Sequence, residues 1–352
     1  MACGELQELN MMNPAISEMR CRERIQETHD TATFLFDAKG VAYKPGQFTT
    51  VQVEIDGVVQ QRAYTLSSTP SRPGSMAVTI KRVDGGVVSN HLLDTLAPGM
   101  NLALSDPAGA FNLADCTQSE HYVFVSAGSG ITPMMSMTRY LLDTGSQASI
   151  HFVYFARSSK DLIFGDELNL LTETHANLTL DIVLSDTSEA GYHSGLLDQD
   201  LFQKLVPELT GRAVYTCGPA PFMALLETCL ERRGFDMSRY HMESFGQVPA
   251  SSETANLNES DTSADVVTVE VPGFGKSATV APESSLLEAA EQMQLPIIGA
   301  CRSGVCGSCK CKVVKGDVES NSQMTLTPEE IEAGVVLACS SKVLSDVEIA
   351  LP

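Results

Sequence analysis

The sequence has no tryptophan, few basic residues and no long hydrophobic run. Its 352 residues include 23 Lys and Arg against 44 Asp and Glu, which gives a formal net charge of −21 at pH 7. Since a surface of this charge repels phosphate groups, we expect neither nucleic acid nor an anionic membrane as a partner. No stretch of about 18 apolar residues occurs, so we also expect no transmembrane helix.

The amino-terminal segment lacks the features of an export signal. Residues 1–15, MACGELQELNMMNPA, contain two glutamates, no Lys or Arg, and no long apolar core. A secretory signal needs a positively charged start followed by an apolar core. We therefore predict a cytoplasmic protein.

Residues 1–115 have the pattern of a β domain. β-rich runs such as TATFLF, FTTVQVEI and MAVTIKRV are separated by Gly and Pro, which favour turns. Consecutive strands joined by short turns are typical of antiparallel sheets. We predict an antiparallel β-barrel.

Residues 116–247 alternate between strands and helices. The runs HYVFVSA, SIHFVYFA, LTLDIVLS and RAVYTCG are almost continuously apolar, as strands buried on both faces are. Helical stretches such as ITPMMSMTRYLLDTG and APFMALLETCLERRG lie between them. This alternation predicts an α/β domain with a parallel sheet and crossover helices.

The pattern breaks at residues 248–265, VPASSETANLNESDTSAD, which carry acids and serines but no base. Their composition predicts a solvated linker between domains. Residues 266–352 then form a third predicted domain, with a strand pattern in VVTVEV and a helix pattern in SLLEAAEQM.

Ten cysteines are present, and four of them fall within eleven residues of this last domain. Cys301, Cys306 and Cys309 are spaced C-x4-C-x2-C, and Cys339 follows after 29 intervening residues. This is the plant-type ligand spacing for a [2Fe–2S] cluster, in which four thiolates hold the irons. A structural zinc site is the alternative, but zinc ligands usually come as two close pairs. We interpret Cys311 as non-ligating.

Three further segments resemble the flavin and nicotinamide motifs of the ferredoxin–NADP reductase family. They are RAYTLSS at 62–68, AGSGITP at 127–133 and CGP at 217–219. The last 87 residues likewise resemble a plant-type ferredoxin, which implies a β-grasp fold. The resemblance thus implies a multidomain protein: a flavin-binding barrel, a nicotinamide-binding α/β domain and a [2Fe–2S] domain.

The first motif implies a flavin site. Arg62 can pair with a flavin phosphate, and Tyr64 can lie against the isoalloxazine ring. Thr65 replaces the usual serine of the family and keeps the hydroxyl expected near flavin N5, and Ser68 completes the motif. In GGVVSNHLL, Gly86 and Ser89 match family residues under the flavin pyrophosphate, with Ser89 expected to open a helix. This second phosphate site favours FAD, with FMN as the alternative.

The other two motifs imply a nicotinamide site. Gly128 and Gly130 allow a pyrophosphate to approach backbone N–H groups, and Thr132 belongs to the same motif. The resemblance places Cys217 beside the nicotinamide C4 and flavin N5, with Gly218 and Pro219 next to it. A small buried hydrophobe is the alternative for Cys217. Cys217 and Thr65 are the predicted catalytic residues.

Two further residues complete the predicted site. Arg157 resembles the family residue that contacts the ribose or phosphate of the nicotinamide cofactor, with a solvated loop arginine as the alternative. Phe245, in the segment ESF, is expected to cover the flavin face, with a core aromatic as the alternative.

The order of the motifs predicts an oxidoreductase that passes electrons from a nicotinamide through a flavin to a cluster. A hydride carries two electrons and a cluster accepts one at a time, so a flavin must stand between them. CRSGVCGSCK and MTLTPEEIEAGVVLACS are similar to segments of the NADH-dependent reductases of hybrid-cluster protein, which implies NADH and that acceptor. The reductase component of a Rieske-type oxygenase is the alternative, and NADPH stays open.

Overall fold

The computed structural model describes residues 16–245 and 266–351, except 294, 296, 298, 300, 301, 303, 305, 306, 308 and 324. The predicted linker at 248–265 and two predicted ligands, Cys301 and Cys306, lie outside the described residues. The chain divides into two compact units, one of which is Ile16–Phe245.

The first half of the unit Ile16–Phe245 is an antiparallel sheet in the order β4-β3-β6-β1-β2-β5. Leu66, just after β4, forms an isolated bridge with Val78 of β5, so the two edges of the sheet meet. This confirms the predicted barrel, whose core contains Phe34, Phe36 and Leu104. Its elements are β1 (Ile16–Thr28), β2 (Thr31–Ala38), β3 (Phe48–Ile55), β4 (Val58–Thr65), β5 (Gly74–Lys81), α1 (Val87–Thr95) and β6 (Asn101–Ser105).

The second half of this unit is a parallel sheet in the order β10-β9-β8-β7-β11-β12. The central strands are buried on both faces: Phe124 of β7 belongs to one hydrophobic cluster and its neighbour Val125 to another. The predicted α/β domain is confirmed. Its elements are β7 (His121–Ala127), α2 (Ile131–Asp143), β8 (Ser149–Ala156), α3 (Gly165–Thr174), β9 (Leu178–Leu184), β10 (His193–Ser194), α4 (Gln199–Leu205), β11 (Ala213–Cys217), α5 (Ala220–Arg232) and β12 (Tyr240–Glu243).

The carboxyl-terminal unit contains a mixed sheet in the order β14-β13-β19-β15-β17 and a small sheet of β16 and β18. Ser285 and Thr327 each form a capping box with a glutamate three residues later, which fixes the starts of its two helices. Its elements are β13 (Val267–Val271), β14 (Lys276–Val280), α6 (Leu286–Gln292), β15 (Lys310–Lys315), β16 (Val318–Ser320), α7 (Pro328–Glu332), β17 (Val335–Leu337), β18 (Ser341–Val343) and β19 (Val347–Ala350).

Among the described residues, no helix is both long and apolar enough to span a membrane.

Candidate active site and cluster centre

The carboxyl ends of β7, β11 and β12 bring three polar side chains together. Cys217 at the end of β11 pairs in register with Ser126 on one side and with Glu243 on the other. Both Cys217 and Ser126 are fully buried. In a parallel sheet, ligands bind outside the carboxyl ends of the strands, so this is where a nucleotide is expected.

Thr65 of the barrel lies at the same carboxyl ends of the strands. The Thr65 hydroxyl donates a hydrogen bond of 3.3 Å to Oε2 of Glu243, although 178 residues separate the two in sequence. Thr65 and Glu243 are both buried. The two predicted catalytic residues, Thr65 and Cys217, are therefore both neighbours of one carboxylate.

Cys217 is held as a neutral thiol. Its burial raises its pKa well above the usual value, and the nearby Glu243 carboxylate raises the pKa further. Both effects disfavour a second negative charge at this position. Because the thiolate is the nucleophilic form of cysteine, this environment favours a packing role for Cys217 over a nucleophilic one.

The glycine loop fits a dinucleotide. Gly128 has φ +55°, and a Cβ built on it meets nothing within 4 Å, so the backbone there is open to a ligand. At Gly130 a Cβ would overlap the carbonyl group of Cys217, which allows the loop and the end of β11 to touch. Thr132 is buried and its hydroxyl donates to the Ser129 carbonyl at 3.1 Å. The loop is followed directly by α2, as a pyrophosphate site requires.

Three observations on the other side of the site support the same fit. A Cβ on Gly218 would lie 3.1 Å from both Ala127 Cβ and a ring carbon of Phe222, so the CGP turn packs closely on the glycine loop. Pro219 precedes α5 as its N-cap residue. The hydroxyl of Ser126 has no hydrogen-bond partner among the described residues, which suits a polar ligand at this end of the sheet.

The predicted flavin segment lies along the end of β4. Tyr64 faces Thr49 of β3 in register, and burial raises the pKa of its hydroxyl. The Arg62 guanidinium donates to the Gln61 carbonyl at 2.7 Å. Ser68 is anchored in the barrel, since its hydroxyl bonds the Tyr43 hydroxyl at 2.7 Å. A hydroxyl, a phenol and a guanidinium are thus presented by one short segment, and this donor set fits a phosphorylated flavin.

The prediction for Ser89 is wrong in its local detail. Helix α1 begins at Val87 and has Gly86 as its N-cap residue, so Ser89 lies inside the first turn instead of opening it. The Ser89 hydroxyl accepts a hydrogen bond of 3.3 Å from the Val83 N–H, which fixes the preceding turn. Gly86 has no space for a side chain, because a Cβ would lie 2.7 Å from Ser89 Oγ. The helix N-terminus itself still presents backbone N–H groups.

Arg157 and Phe245 are both solvent-exposed. Arg157 follows β8 at the carboxyl end of the sheet, and its carbonyl accepts from the Asp186 N–H at 2.9 Å. Phe245 follows β12 with 39% of its surface exposed, so it is not a core aromatic. Both stay accessible to a ligand.

The cluster cysteines that the structure describes converge. The sulfurs of Cys309 and Cys339 lie 3.2 Å apart. The Gly304 N–H donates to Cys339 Sγ at 3.1 Å, and the Cys339 N–H donates to Cys309 Sγ at 3.4 Å. Backbone N–H groups aimed at sulfur stabilise thiolates, so this arrangement fits an iron–sulfur cluster.

The loop around these cysteines has no space for side chains at its glycines. Gly304 has φ +74°, and a Cβ there would lie 2.7 Å from the Ser322 side chain. Gly307 has the same φ, and a Cβ would lie 2.8 Å from Thr325 Oγ1. That hydroxyl is buried and has no hydrogen-bond partner among the described residues. An unpaired donor facing the loop suits a group with sulfur acceptors.

Cys311 lies in β15 and is 1% exposed within the hydrophobic core of the unit. Burial raises the pKa of its thiol to about 12, with a further contribution from Cys309. Cys311 pairs in register with Val336 of β17, and this place inside a strand is consistent with the interpretation of Cys311 as non-ligating.

Sequence reasoning missed Glu243. The segment ESF was noted for Phe245, whereas the carboxylate that contacts Thr65 belongs to the first residue of the same segment. The only sequence signal for it is an acid that directly precedes Ser244 and Phe245 of this segment, because its place beside Cys217 follows from the pairing of β11 with β12.

Three family models match the chain in succession. They describe an oxidoreductase FAD-binding domain at residues 18–113, an oxidoreductase NAD-binding domain at 124–228 and a 2Fe-2S iron-sulfur cluster binding domain at 269–344. The matches follow the order of the motifs in the sequence.

Curated relatives match over almost the full length. The chain is 38% identical to the glycine betaine monooxygenase reductase subunit of Pseudomonas aeruginosa, over 97% of this chain and 99% of that protein. It is 35% identical to the NADH oxidoreductase HCR of Escherichia coli, over 94% and 97% of the two chains. Among solved structures, phthalate dioxygenase reductase shares the fold, with a TM-score of 0.66, 23% identity and coverage of 96% and 98%.

These findings confirm the predicted NADH-dependent flavin and iron–sulfur oxidoreductase with its FAD, NADH and [2Fe–2S] cofactors. The chain belongs to the ferredoxin–NADP reductase-like family of FAD- and NAD-binding oxidoreductases that carry a [2Fe–2S] ferredoxin domain.

Proposed function

We propose that this chain takes a hydride from NADH at the end of the parallel sheet and delivers single electrons to a separate protein through its cluster. The observation that carries the proposal is the contact of Thr65 with Glu243 beside Cys217, where the flavin segment meets the nucleotide site. A flavin bound at this junction supplies the exchange between two-electron and one-electron transfer.

Under this proposal, residues 1–115 hold the flavin, residues 116–247 hold the nicotinamide, and residues 266–352 hold the cluster beyond the linker at 248–265. The ranges of the three family models support this division. Four cysteines are the proposed cluster ligands: Cys301, Cys306, Cys309 and Cys339.

The side chains of the site orient and pack around the reactants. Arg62, Tyr64 and Ser68 hold the flavin, together with the α1 N-terminus at Gly86. Gly128, Gly130 and Thr132 hold the pyrophosphate of the nicotinamide cofactor, and Arg157 contacts its ribose or phosphate. The turn Cys217–Gly218–Pro219 lines the nicotinamide, and Phe245 covers the flavin until the nicotinamide arrives. The full set is Arg62, Tyr64, Thr65, Ser68, Gly86, Ser89, Gly128, Gly130, Thr132, Arg157, Cys217, Gly218, Pro219 and Phe245.

Catalysis at this site needs no ionised side chain as a base. The Cys217 thiol stays protonated, so it acts by filling the space beside the reacting atoms. Glu243 accepts the hydrogen bond of Thr65 and so orients the Thr65 hydroxyl. The burial of these groups excludes water from the path of the hydride.

Curated relatives support two candidate acceptor proteins. The acceptor predicted from the sequence is hybrid-cluster protein, and the NADH oxidoreductase HCR at 35% identity supports it. An oxygenase component is the second candidate, which the glycine betaine monooxygenase reductase subunit at 38% identity supports. The cytoplasmic location stays a prediction.

Anaerobic mixing of the purified, cofactor-loaded chain with NADH tests the proposal. We expect the flavin absorbance to bleach, followed by one-electron reduction of ferricyanide at many turnovers per enzyme. Hybrid-cluster protein and an oxygenase component, each supplied in turn, then identify the acceptor by which of the two is reduced. A flavin that NADH does not bleach would contradict the proposed function.

A further inference from the structure

One face of helix α2 connects the glycine loop to the flavin segment. Thr132, Ser136, Arg139 and Asp143 are spaced four, three and four residues apart, which places them on the same side of the helix. Thr132 is at the glycine loop, and its hydroxyl bonds the Ser129 carbonyl. The other three residues all bond the barrel between residues 67 and 72.

Two of these side chains hold neighbouring carbonyl groups at the end of the flavin motif. Ser136 donates to the Ser68 carbonyl at 2.6 Å, and the Arg139 guanidinium donates to the Ser67 carbonyl. Ser136 also accepts a hydrogen bond of 3.3 Å from the Gly46 N–H. Three backbone groups of the barrel are therefore attached to one turn of α2.

The barrel fixes the same two serines from its own side. The Ser67 hydroxyl bonds the Thr79 hydroxyl at 2.8 Å, and the Ser68 hydroxyl bonds that of Tyr43 at 2.7 Å. Ser68 also accepts from the Ala77 N–H at 2.9 Å. A displacement of α2 is therefore passed directly to the segment that begins with Arg62.

Arg139 is itself fixed in place. Its Nε donates to Glu167 Oε1 at 2.8 Å, its Nη2 donates to Oε2 of the same carboxylate, and its guanidinium carbon lies 4.7 Å from the centre of the Phe164 ring. The Arg139 side chain is 11% exposed. A planar guanidinium makes these bonds in different directions at once, which a lysine ammonium on a flexible stem does not reproduce.

We propose that Arg139 is a positioning residue for hydride transfer, because it sets the distance between the nucleotide loop and the flavin segment. The inference rests on the proposed function, in which the hydride passes between these two places. The nucleotide loop and the flavin segment are also linked through the ends of β11 and β12. Gly130 packs against the Cys217 backbone, and Glu243 bonds Thr65. Arg139 acts through Ser67 and does not itself touch a reactant.

The expected consequence is a slower chemical step with little change in binding. A misplacement of about 1 Å, even from a substitution far from the chemistry, costs roughly 100-fold in rate. Arg139→Met should therefore slow flavin reduction by NADH at least about tenfold, while the NADH concentration for half-maximal rate changes less than about threefold. Arg139→Lys should fall between the wild type and the Met variant.

The matched control is Arg72→Ala, at the other end of the same contact. Arg72 pairs with Asp143 through two bonds of 2.8 Å, but the Arg72 side chain is 55% exposed. Asp143 is the last residue of α2, at the far end of the helix from the glycine loop. The Arg72→Ala substitution removes an ion pair between the same two domains. We expect flavin reduction in this variant at the wild-type rate.

Anaerobic stopped-flow measurement of flavin reduction, with NADH and with its 4-deuterated form, tests the proposal on cofactor-loaded protein. A slower step that retains its isotope effect in Arg139→Met, with Arg72→Ala unchanged, supports it. If Arg139→Met does not keep its flavin, Ser136→Ala takes its place with the same expectation. Wild-type rates in the Arg139 and Ser136 variants, or an equal loss in Arg72→Ala, would overturn it. A wild-type protein that NADH does not reduce would instead contradict the proposed function.

Discussion

Thr65 and Glu243, at the ends of two different sheets, are joined by a hydrogen bond from the Thr65 hydroxyl to a carboxylate oxygen 3.3 Å away. Thr65 ends β4 of the barrel and Glu243 ends β12 of the parallel sheet. Glu243 also lies beside Cys217 on the neighbouring strand β11. The two halves of the unit Ile16–Phe245 therefore share one buried carboxylate at the place where the hydride is proposed to pass.

Breaking this hydrogen bond should slow flavin reduction. This hydrogen bond fixes the flavin segment beside the nucleotide site, and misplacement of reacting groups by about 1 Å costs roughly 100-fold in rate, so we expect Thr65→Val to lose roughly tenfold or more. Thr65→Ser keeps the hydroxyl and serves as the control. A double-mutant cycle with Glu243→Gln checks the pairing in stopped-flow rates. Strictly additive losses would show that the two side chains act independently.

Cys217 should affect the rate of reduction more than the binding of NADH. Cys217→Ala leaves a space beside the proposed hydride path, so flavin reduction should slow while NADH affinity changes little.

Because burial and Glu243 both raise the Cys217 pKa, iodoacetamide should not modify this thiol in the folded protein at pH 8. Mass spectrometry of the labelled protein, with urea-unfolded protein as the control, measures this. Rapid labelling of Cys217 in the folded state would contradict a neutral, buried thiol.

The cluster should depend on Cys309 and Cys339 but not on Cys311. The Cys309 and Cys339 sulfurs lie 3.2 Å apart, whereas Cys311 lies in β15 and pairs in register with Val336 of β17. Cys309→Ser and Cys339→Ser should each remove or strongly destabilise the visible spectrum of the cluster. Cys311→Ser is the matched control and should retain the spectrum, at some loss of stability from a buried hydroxyl. Loss of the spectrum in Cys311→Ser alone would show that the ligand set is different.

The sequence predicts much of this arrangement because its local patterns coincide with single elements. HYVFVSA forms β7 as a continuous apolar strand, and the following glycine loop opens α2, as the pattern predicts. The prediction that Ser89 opens the helix is wrong, because the start of a helix depends on the φ and ψ angles of one residue. Gly86 takes the extended conformation of an N-cap, and the sequence gives no means of choosing it over its neighbours.

The contacts between elements are what the sequence does not reveal. Glu243 and Thr65 are 178 residues apart, and nothing in either local pattern indicates that they meet. The same holds for Arg139 and Ser67, whose contact depends on how α2 packs against the barrel. Side-chain pairs of this kind follow from tertiary packing, which periodicity and motif spacing do not specify.

The Thr325 hydroxyl should tune the reduction potential of the cluster. It is buried, it has no partner among the described residues, and it lies against Gly307 in the loop between the predicted ligand Cys306 and Cys309. Hydrogen bonds to cluster sulfurs stabilise the more negative reduced state and so raise the potential. We therefore expect Thr325→Val to lower the midpoint potential of the cluster while leaving its visible spectrum intact.

Two variants control this prediction. Thr325→Ser should keep the wild-type potential, and Thr279→Val, at an exposed position of β14, is the matched control. Redox titration of the loaded protein, followed by the electron paramagnetic resonance signal of the reduced cluster, measures the shift. An unchanged potential in Thr325→Val would mean that the hydroxyl does not donate toward the cluster.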